Sequence, residues 1–173
     1  MKKILALLLT LALSIAPSAQ RNSAQPADPT PTAAPAEVTG IAFETTDRDG
    51  GTVTQDVLGE NVLTMLNFWE PWCGPCVREM PDLQKLSETY ADRGFGILGI
   101  YSTGGMESDV DAVLSDTGVT YPILNYTEAF DQFQTGYVPT TVFLDCHGNQ
   151  VGETQIGSMS YESWAALVEE LLG

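Results

Sequence analysis

The sequence is short of basic residues, of histidine and of cysteine, and each shortage closes off a class of function. Its 173 residues hold 7 lysines and arginines against 23 aspartates and glutamates, a formal net charge of −16. A surface of that sign repels phosphate backbones, so no nucleic-acid partner is expected. A single histidine, His147, excludes a histidine-rich metal centre. Three cysteines cannot all pair within one chain, which excludes a small protein built on a disulfide scaffold. No apolar run approaches the roughly twenty residues of a spanning helix, so a multi-span membrane protein is excluded as well. What remains is a chain with 43% hydrophobic residues, enough to bury the core of one ordinary domain. It carries no internal repeat.

The beginning of the chain reads as an address. Lys2 and Lys3 precede an apolar stretch from Ile4 to Ala16, and the small residues Ser18 and Ala19 follow. A basic start, a short apolar run and small residues are the pattern of a secretory signal, here residues 1–19. No cysteine stands nearby to accept a lipid. Residues 20–37, rich in Ala, Pro, Ser and Thr, form a spacer whose prolines prevent regular structure. The expected location is therefore outside the cytoplasm, secreted, or membrane-associated if the leader is retained.

Residues 38–173 have the patterning of a folded domain. Ile41 and Phe43 alternate with small or polar residues, Asp49-Gly50-Gly51 supplies a turn, and Thr52 to Thr54 resumes the strand. Val62 to Trp69 and Phe95 to Tyr101 are apolar enough for buried strands. Between them, Pro75 to Asp92 carries Val77, Met80, Leu83 and Leu86 at helical spacing, with Gly94 past its end. Ser108 is placed to cap a helix bearing Val110, Val113 and Leu114. Tyr121 to Leu124 is a brief extended piece and Glu128 to Phe133 a short helix. Thr140 to Leu144 and Gln150 to Ile156 flank a turn at His147-Gly148-Asn149. Ser160 caps a last helix with Trp164, Leu167, Val168 and Leu171 on one face. Strands alternating with helices, then a hairpin and a helix, imply an α/β domain with a mixed sheet flanked by helices on both faces and an N-terminal β-hairpin extension.

The sharpest chemical signal is Cys73-Gly74-Pro75-Cys76 at a strand-to-helix junction. This spacing allows both sulfurs to meet in a small disulfide ring. Unpaired amides and the helix dipole at the helix start favour a thiolate at Cys73, the attacking species in disulfide exchange. Cys76, one turn inside, is then the shielded partner that attacks second. Pro75 suits a first helical turn, where its missing N–H costs no bond. The rival reading is a zinc site of Cys73, Cys76, Cys146 and His147. An extended strand after Thr141 carries Cys146 more than about 10 Å away, which argues against it.

The segment Asn67-Phe68-Trp69-Glu70-Pro71-Trp72-Cys73-Gly74-Pro75-Cys76-Val77-Arg78-Glu79-Met80-Pro81 resembles the active-site segment of the thioredoxin superfamily, in particular its TlpA/ResA-like exported thiol-disulfide oxidoreductases. The likeness continues through Val138-Pro139-Thr140-Thr141, Phe143-Leu144-Asp145, Gly148 and Gly157, and covers most of Ile41 to Leu172. It implies a thioredoxin-like fold and a disulfide reductase acting on exported proteins, with apocytochrome c or oxidation-repair partners among the substrates. Cys73 becomes the nucleophile and Cys76 the resolving thiol of one redox-active disulfide. Glu79 tunes the thiols and handles protons. Pro139 becomes a cis-proline that shapes the substrate groove and keeps metal off the cysteine pair.

Around these, Trp72, Gly74, Pro75, Val138 and Thr140 complete the expected substrate-binding set, Thr140 through its backbone. No cofactor and no bound metal are implied. The expected partners are exported protein thiols or disulfides and a membrane thiol reductant, with the chain a monomer. Trp69 is expected in the core. Pro81 is expected to kink its helix. Glu70 stands where the family often has a small or polar residue, and is read as an influence on the local field or as a solvated side chain. Cys146 and His147 depart from the family and are read as turn residues.

Three other functions are weighed against this one. A protein disulfide oxidase shares the fold and the cysteines, and the Gly-Pro pair does not fix the direction of electron flow. A thiol peroxidase requires a threonine three residues before its cysteine, where this chain has Glu70. A copper carrier of this fold uses C-x-x-x-C with a distant histidine, one residue longer than the spacing here.

Overall fold

A computed structural model describes residues 37–173, so the expected signal at 1–19 and all but the last residue of the expected spacer at 20–37 lie outside the described residues. Seven strands and three α-helices follow in order. β1 (Glu44–Thr46) and β2 (Thr52–Thr54) form an antiparallel pair, with Glu44 opposite Thr54. β3 (Leu63–Phe68), α1 (Gly74–Tyr90), β4 (Phe95–Tyr101), α2 (Glu107–Thr117) and β5 (Ile123–Asn125) then alternate. β6 (Thr140–Asp145), β7 (Gln150–Ile156) and α3 (Tyr161–Leu172) complete the chain, and short 3₁₀ turns lie at Gln55–Glu60, Ala91–Arg93 and Glu128–Phe133.

The main sheet has the order β5-β4-β3-β6-β7, with β3 at its centre. β3 runs parallel to β4 and antiparallel to β6. Its residues are buried throughout, as a central strand covered on both faces requires. Alternation sends Leu63 and Met65 to one face and Leu66 and Phe68 to the other. On the first face they meet Met80, Leu83 and Leu86 of α1, Val110 of α2, and Trp164 and Val168 of α3. On the second they meet Ile41, Phe43, Leu58, Phe130 and Phe133. The expected mixed sheet with helical cover on both faces is therefore present. All three α-helices lie on one face, and 3₁₀ turns with the N-terminal segment cover the other.

Several local expectations need correction. Ser108 does not cap α2: the helix starts at Glu107 after Met106, with no side-chain cap, and the Glu107 carboxylate accepts instead from Gly105 N–H at 3.1 Å. The helix carrying Pro81 runs from Gly74 to Tyr90 with the proline in its interior, where it removes one backbone bond without ending the helix. Ile41 and Phe43 precede β1 rather than belonging to it. They are drawn into the core by docking on the β6–β7 turn, where Thr39 and Gly40 N–H donate to His147 O and Ile41 N–H to Gly148 O. Glu37, the first described residue, already takes part, its carbonyl 2.8 Å from His147 Nδ1. Ser160 caps α3 as expected, accepting from Ser163 N–H at 3.3 Å.

Candidate active site

The register of β3 against β6 decides what meets what. Phe68, the last residue of β3, pairs with Thr140, the first of β6. The chain leaving β3 toward α1 therefore emerges beside the chain entering β6. The first carries Cys73 and the second carries Val138 and Pro139. At the other end of β3, Leu63 pairs with Asp145, so Cys146 and His147 lie beyond the opposite end of the strands. That placement separates them from the cysteine pair and dissolves the four-ligand zinc set.

Cys73 is the N-cap of α1 and is disulfide-bonded to Cys76, with Cα atoms 5.3 Å apart. Its Sγ accepts from Cys76 N–H at 3.3 Å, one of the helix amides that has no partner within the helix. Cys73 is 5% exposed and Cys76 1%, so the first cysteine is the more accessible residue of the two. Gly74 and Pro75 form the exposed first turn. Cys73 Sγ lies 3.6 Å from Val138 O, and the Val138–Pro139 peptide bond is cis. Trp72, 63% exposed, and Tyr137, also exposed, are large apolar side chains beside the disulfide. Tyr137 is a residue the sequence reading did not single out.

Thr140 does not offer itself to a ligand. It is 2% exposed, pairs with Phe68 and Ile156 in the sheet, and turns its hydroxyl onto Tyr137 O at 2.7 Å. Pro139 O is likewise taken, by Gly157 N–H at 2.9 Å. Of the expected loop, Val138 lies against Cys73 through its carbonyl, and the cis bond to Pro139 follows it.

Glu79 is 3% exposed and points into the protein, one turn beyond Cys76 on α1. Its Oε2 accepts from Met159 N–H at 3.2 Å and from Trp164 Nε1–H at 3.3 Å, and its Oε1 from Asn67 Nδ2–H at 3.4 Å. Burial pushes its carboxyl up to about 7, against the opposing pull of these three donors. A buried group that gains and loses a proton near neutral pH, on the face of the helix that carries Cys76, is equipped for proton exchange with a thiol. The sequence indicated Glu79 by its helical spacing and by resemblance. Asn67, Trp164 and Met159 were missed as its partners, since only tertiary folding brings three separate segments to one carboxylate.

Trp69 is in the core, as expected, 6.2 Å from Tyr101 between ring centroids. Glu70 overturns the reading of a solvated side chain. It is 4% exposed, and its carboxylate meets Ser102 and Thr103 in the loop after β4. Among the described residues no group of three or more His, Cys, Asp and Glu is placed to hold a metal ion.

Known proteins share both sequence and architecture with this chain. The thiol-disulfide oxidoreductase ResA of Oceanobacillus iheyensis is 34% identical over 109 residues, covering 62% of this chain and 55% of that protein. The thioredoxin-like protein YneN of Bacillus subtilis is 34% identical over 109 residues, covering 61% and 62% respectively. The matched part thus spans less than two thirds of the length of these curated relatives. Among solved structures, a thiol:disulfide interchange protein of the thioredoxin family from Chlorobium tepidum superposes with a TM-score of 0.67 at 28% identity, covering 82% of this chain and 99% of that one. The architecture is thus thioredoxin-like. The sequence profile of the AhpC/TSA family matches residues 37–149, and the chain belongs to that family.

Proposed function

We propose that the chain is a thiol-disulfide oxidoreductase that works outside the cytoplasm and reduces disulfides in exported proteins. The observation that carries this reading is the Cys73–Cys76 disulfide at the start of α1, with Cys73 the more exposed cysteine and the carbonyl of Val138, before the cis bond to Pro139, against it. Relatives named thiol-disulfide oxidoreductases support the activity, and the pattern of residues 1–19 supports the location.

In the reduced form the Cys73 thiolate attacks one sulfur of a substrate disulfide. The substrate S–S bond breaks, a Cys73–substrate disulfide forms, and the first substrate sulfur leaves as a thiolate that takes up a proton. Cys76 then attacks Cys73 Sγ, which breaks the mixed disulfide, releases the second substrate thiol and closes the Cys73–Cys76 bond. Two electrons have passed to the substrate. Cys76 must lose its proton in this step, and Glu79, titrating near neutrality one turn away, is the acceptor. A membrane dithiol donor restores the reduced pair by the same exchange in reverse, returning the two electrons. Trp72, Gly74, Pro75 and Val138 border the site of attack and hold the substrate chain there. Thr140 does so only indirectly, by fixing the turn.

Peroxidase chemistry, known in the wider fold, is disfavoured because Glu70 occupies the position of the required threonine. The test is the reduction potential of the Cys73–Cys76 couple in the full chain. A value near the thioredoxin end, about −270 mV, supports reduction, and one near about −120 mV moves the assignment to disulfide formation. Absence of a reversible dithiol couple would sink both.

A further inference from the structure

Glu70 stands three residues before Cys73 and grips two segments at once. Its Oε1 accepts from Ser102 N–H at 2.9 Å and from the Ser102 hydroxyl, and its Oε2 accepts from Thr103 N–H at 3.3 Å. Its backbone carbonyl accepts from Cys73 N–H at 3.0 Å. Trp72 joins the same two segments, its Nε1–H lying 3.4 Å from Thr103 Oγ1. The loop leaving β4 is thereby fastened to the turn that carries the cysteine.

The carboxylate is satisfied by dipoles and not by a cation. Among the described residues the ion pairs are Arg48–Asp111 and Arg93–Glu169, and neither involves Glu70. Three hydrogen bonds stabilise the charge without cancelling it, and burial keeps water from screening it. Cys73 sits at the positive end of α1, which favours its thiolate. A fixed negative charge on the same turn opposes that effect. The ionisable groups around this turn include Arg78, whose guanidinium reaches over Gly74, Glu79 beyond Cys76, Asp109 of α2 beside Trp72, and Tyr126, which lines one small cavity with Glu70, Ser102 and Val138.

We infer that Glu70 is a positioning residue for the redox turn: its buried carboxylate fastens the β4–α2 loop behind Cys73 and holds there a charge that disfavours the Cys73 thiolate, making the couple more reducing. The inference rests on the disulfide exchange proposed above and assigns it a determinant of the direction of electron flow.

The experiment compares the full chain with its Glu70→Gln and Ser102→Ala variants, following the Cys73 thiol titration by thiolate absorbance and the redox equilibrium against glutathione. Glu70→Gln removes the charge and retains the shape. The expected result is about a three- to tenfold gain in the Cys73 thiolate equilibrium, with the redox equilibrium moving toward the dithiol. Ser102→Ala removes a donor and leaves the charge less compensated, so the thiolate equilibrium moves the opposite way. A loop-packing role alone would move both variants in the same direction. Equal shifts in both, or less than a twofold shift in Glu70→Gln, overturn the inference. If Glu70→Gln does not fold, Ser102→Ala decides alone: a weakened thiolate supports the inference, and an unchanged or strengthened one overturns it. A wild-type chain without a reversible couple would instead refute the proposed function. A wild-type couple that Glu70→Gln leaves unmoved refutes this inference only.

Discussion

Trp164 donates its indole N–H to Glu79 Oε2 at 3.3 Å, so the last helix of the chain reaches the helix that begins at the cysteines through one buried hydrogen bond. Trp164 is fully buried and lies edge-on to Phe143 of β6, with ring centroids 6.3 Å apart. α3 is thus tied to the active site although no residue of it approaches the disulfide in sequence.

Replacing Trp164 with Phe keeps most of the packing and deletes this donor. The carboxylate form of Glu79 loses support, so its titration moves above the value near 7. Carboxyl titration followed by NMR is expected to show this upward move, with a stability loss of about 1–3 kcal/mol by denaturant unfolding above pH 7.

Glu79 imposes a sign on the pH dependence of stability. Its folded value near 7 lies above the ordinary 4.5, so the folded protein holds this proton more tightly than the unfolded chain does. Its contribution is complete below pH 4.5 and is lost as pH rises through 7. A shift of that size is worth about 3 kcal/mol. Denaturant unfolding from pH 4.5 to 8 is expected to show this decline in the wild type and a flatter profile in Glu79→Gln.

The two cysteines have unequal roles in exchange. Cys76→Ser retains the more exposed cysteine and has lost the group that resolves the mixed disulfide. It is expected to accumulate a covalent complex with a disulfide-bearing substrate, visible on a non-reducing gel. Cys73→Ser leaves the buried thiol alone and is expected to trap far less. Equal trapping would reverse the assignment of nucleophile.

Gly40 has no room for a side chain. A Cβ there would stand 2.3 Å from Gly148 O, a backbone atom that cannot rotate away. Gly40→Ala is expected to lift residues 38–41 from the β6–β7 turn and to expose Ile41, at a cost of about 1–3 kcal/mol in thermal or denaturant unfolding. The Cys73–Cys76 potential is expected to be unchanged, because this contact lies at the opposite end of the strands.

Short-range chemistry was legible in the sequence. The runs at Leu63–Phe68 and Phe95–Tyr101 declare buried strands, because only a strand covered on both faces carries apolar residues on both of its sides. Ser160 announces α3, and Cys-Gly-Pro-Cys at a strand end announces a dithiol at a helix start. Each signal lies within a few residues of what it specifies. Tertiary structure decided the fate of the carboxylates. Glu70 and Glu79 differ little as sequence letters from the exposed Glu88 or Glu107. They are buried because Ser102 and Thr103 come from the end of β4, Asn67 from β3, and Met159 and Trp164 from the end of the chain. Burial and donor count, which set a carboxylate's charge, are properties of what folding brings alongside it, and spacing along one segment does not contain them.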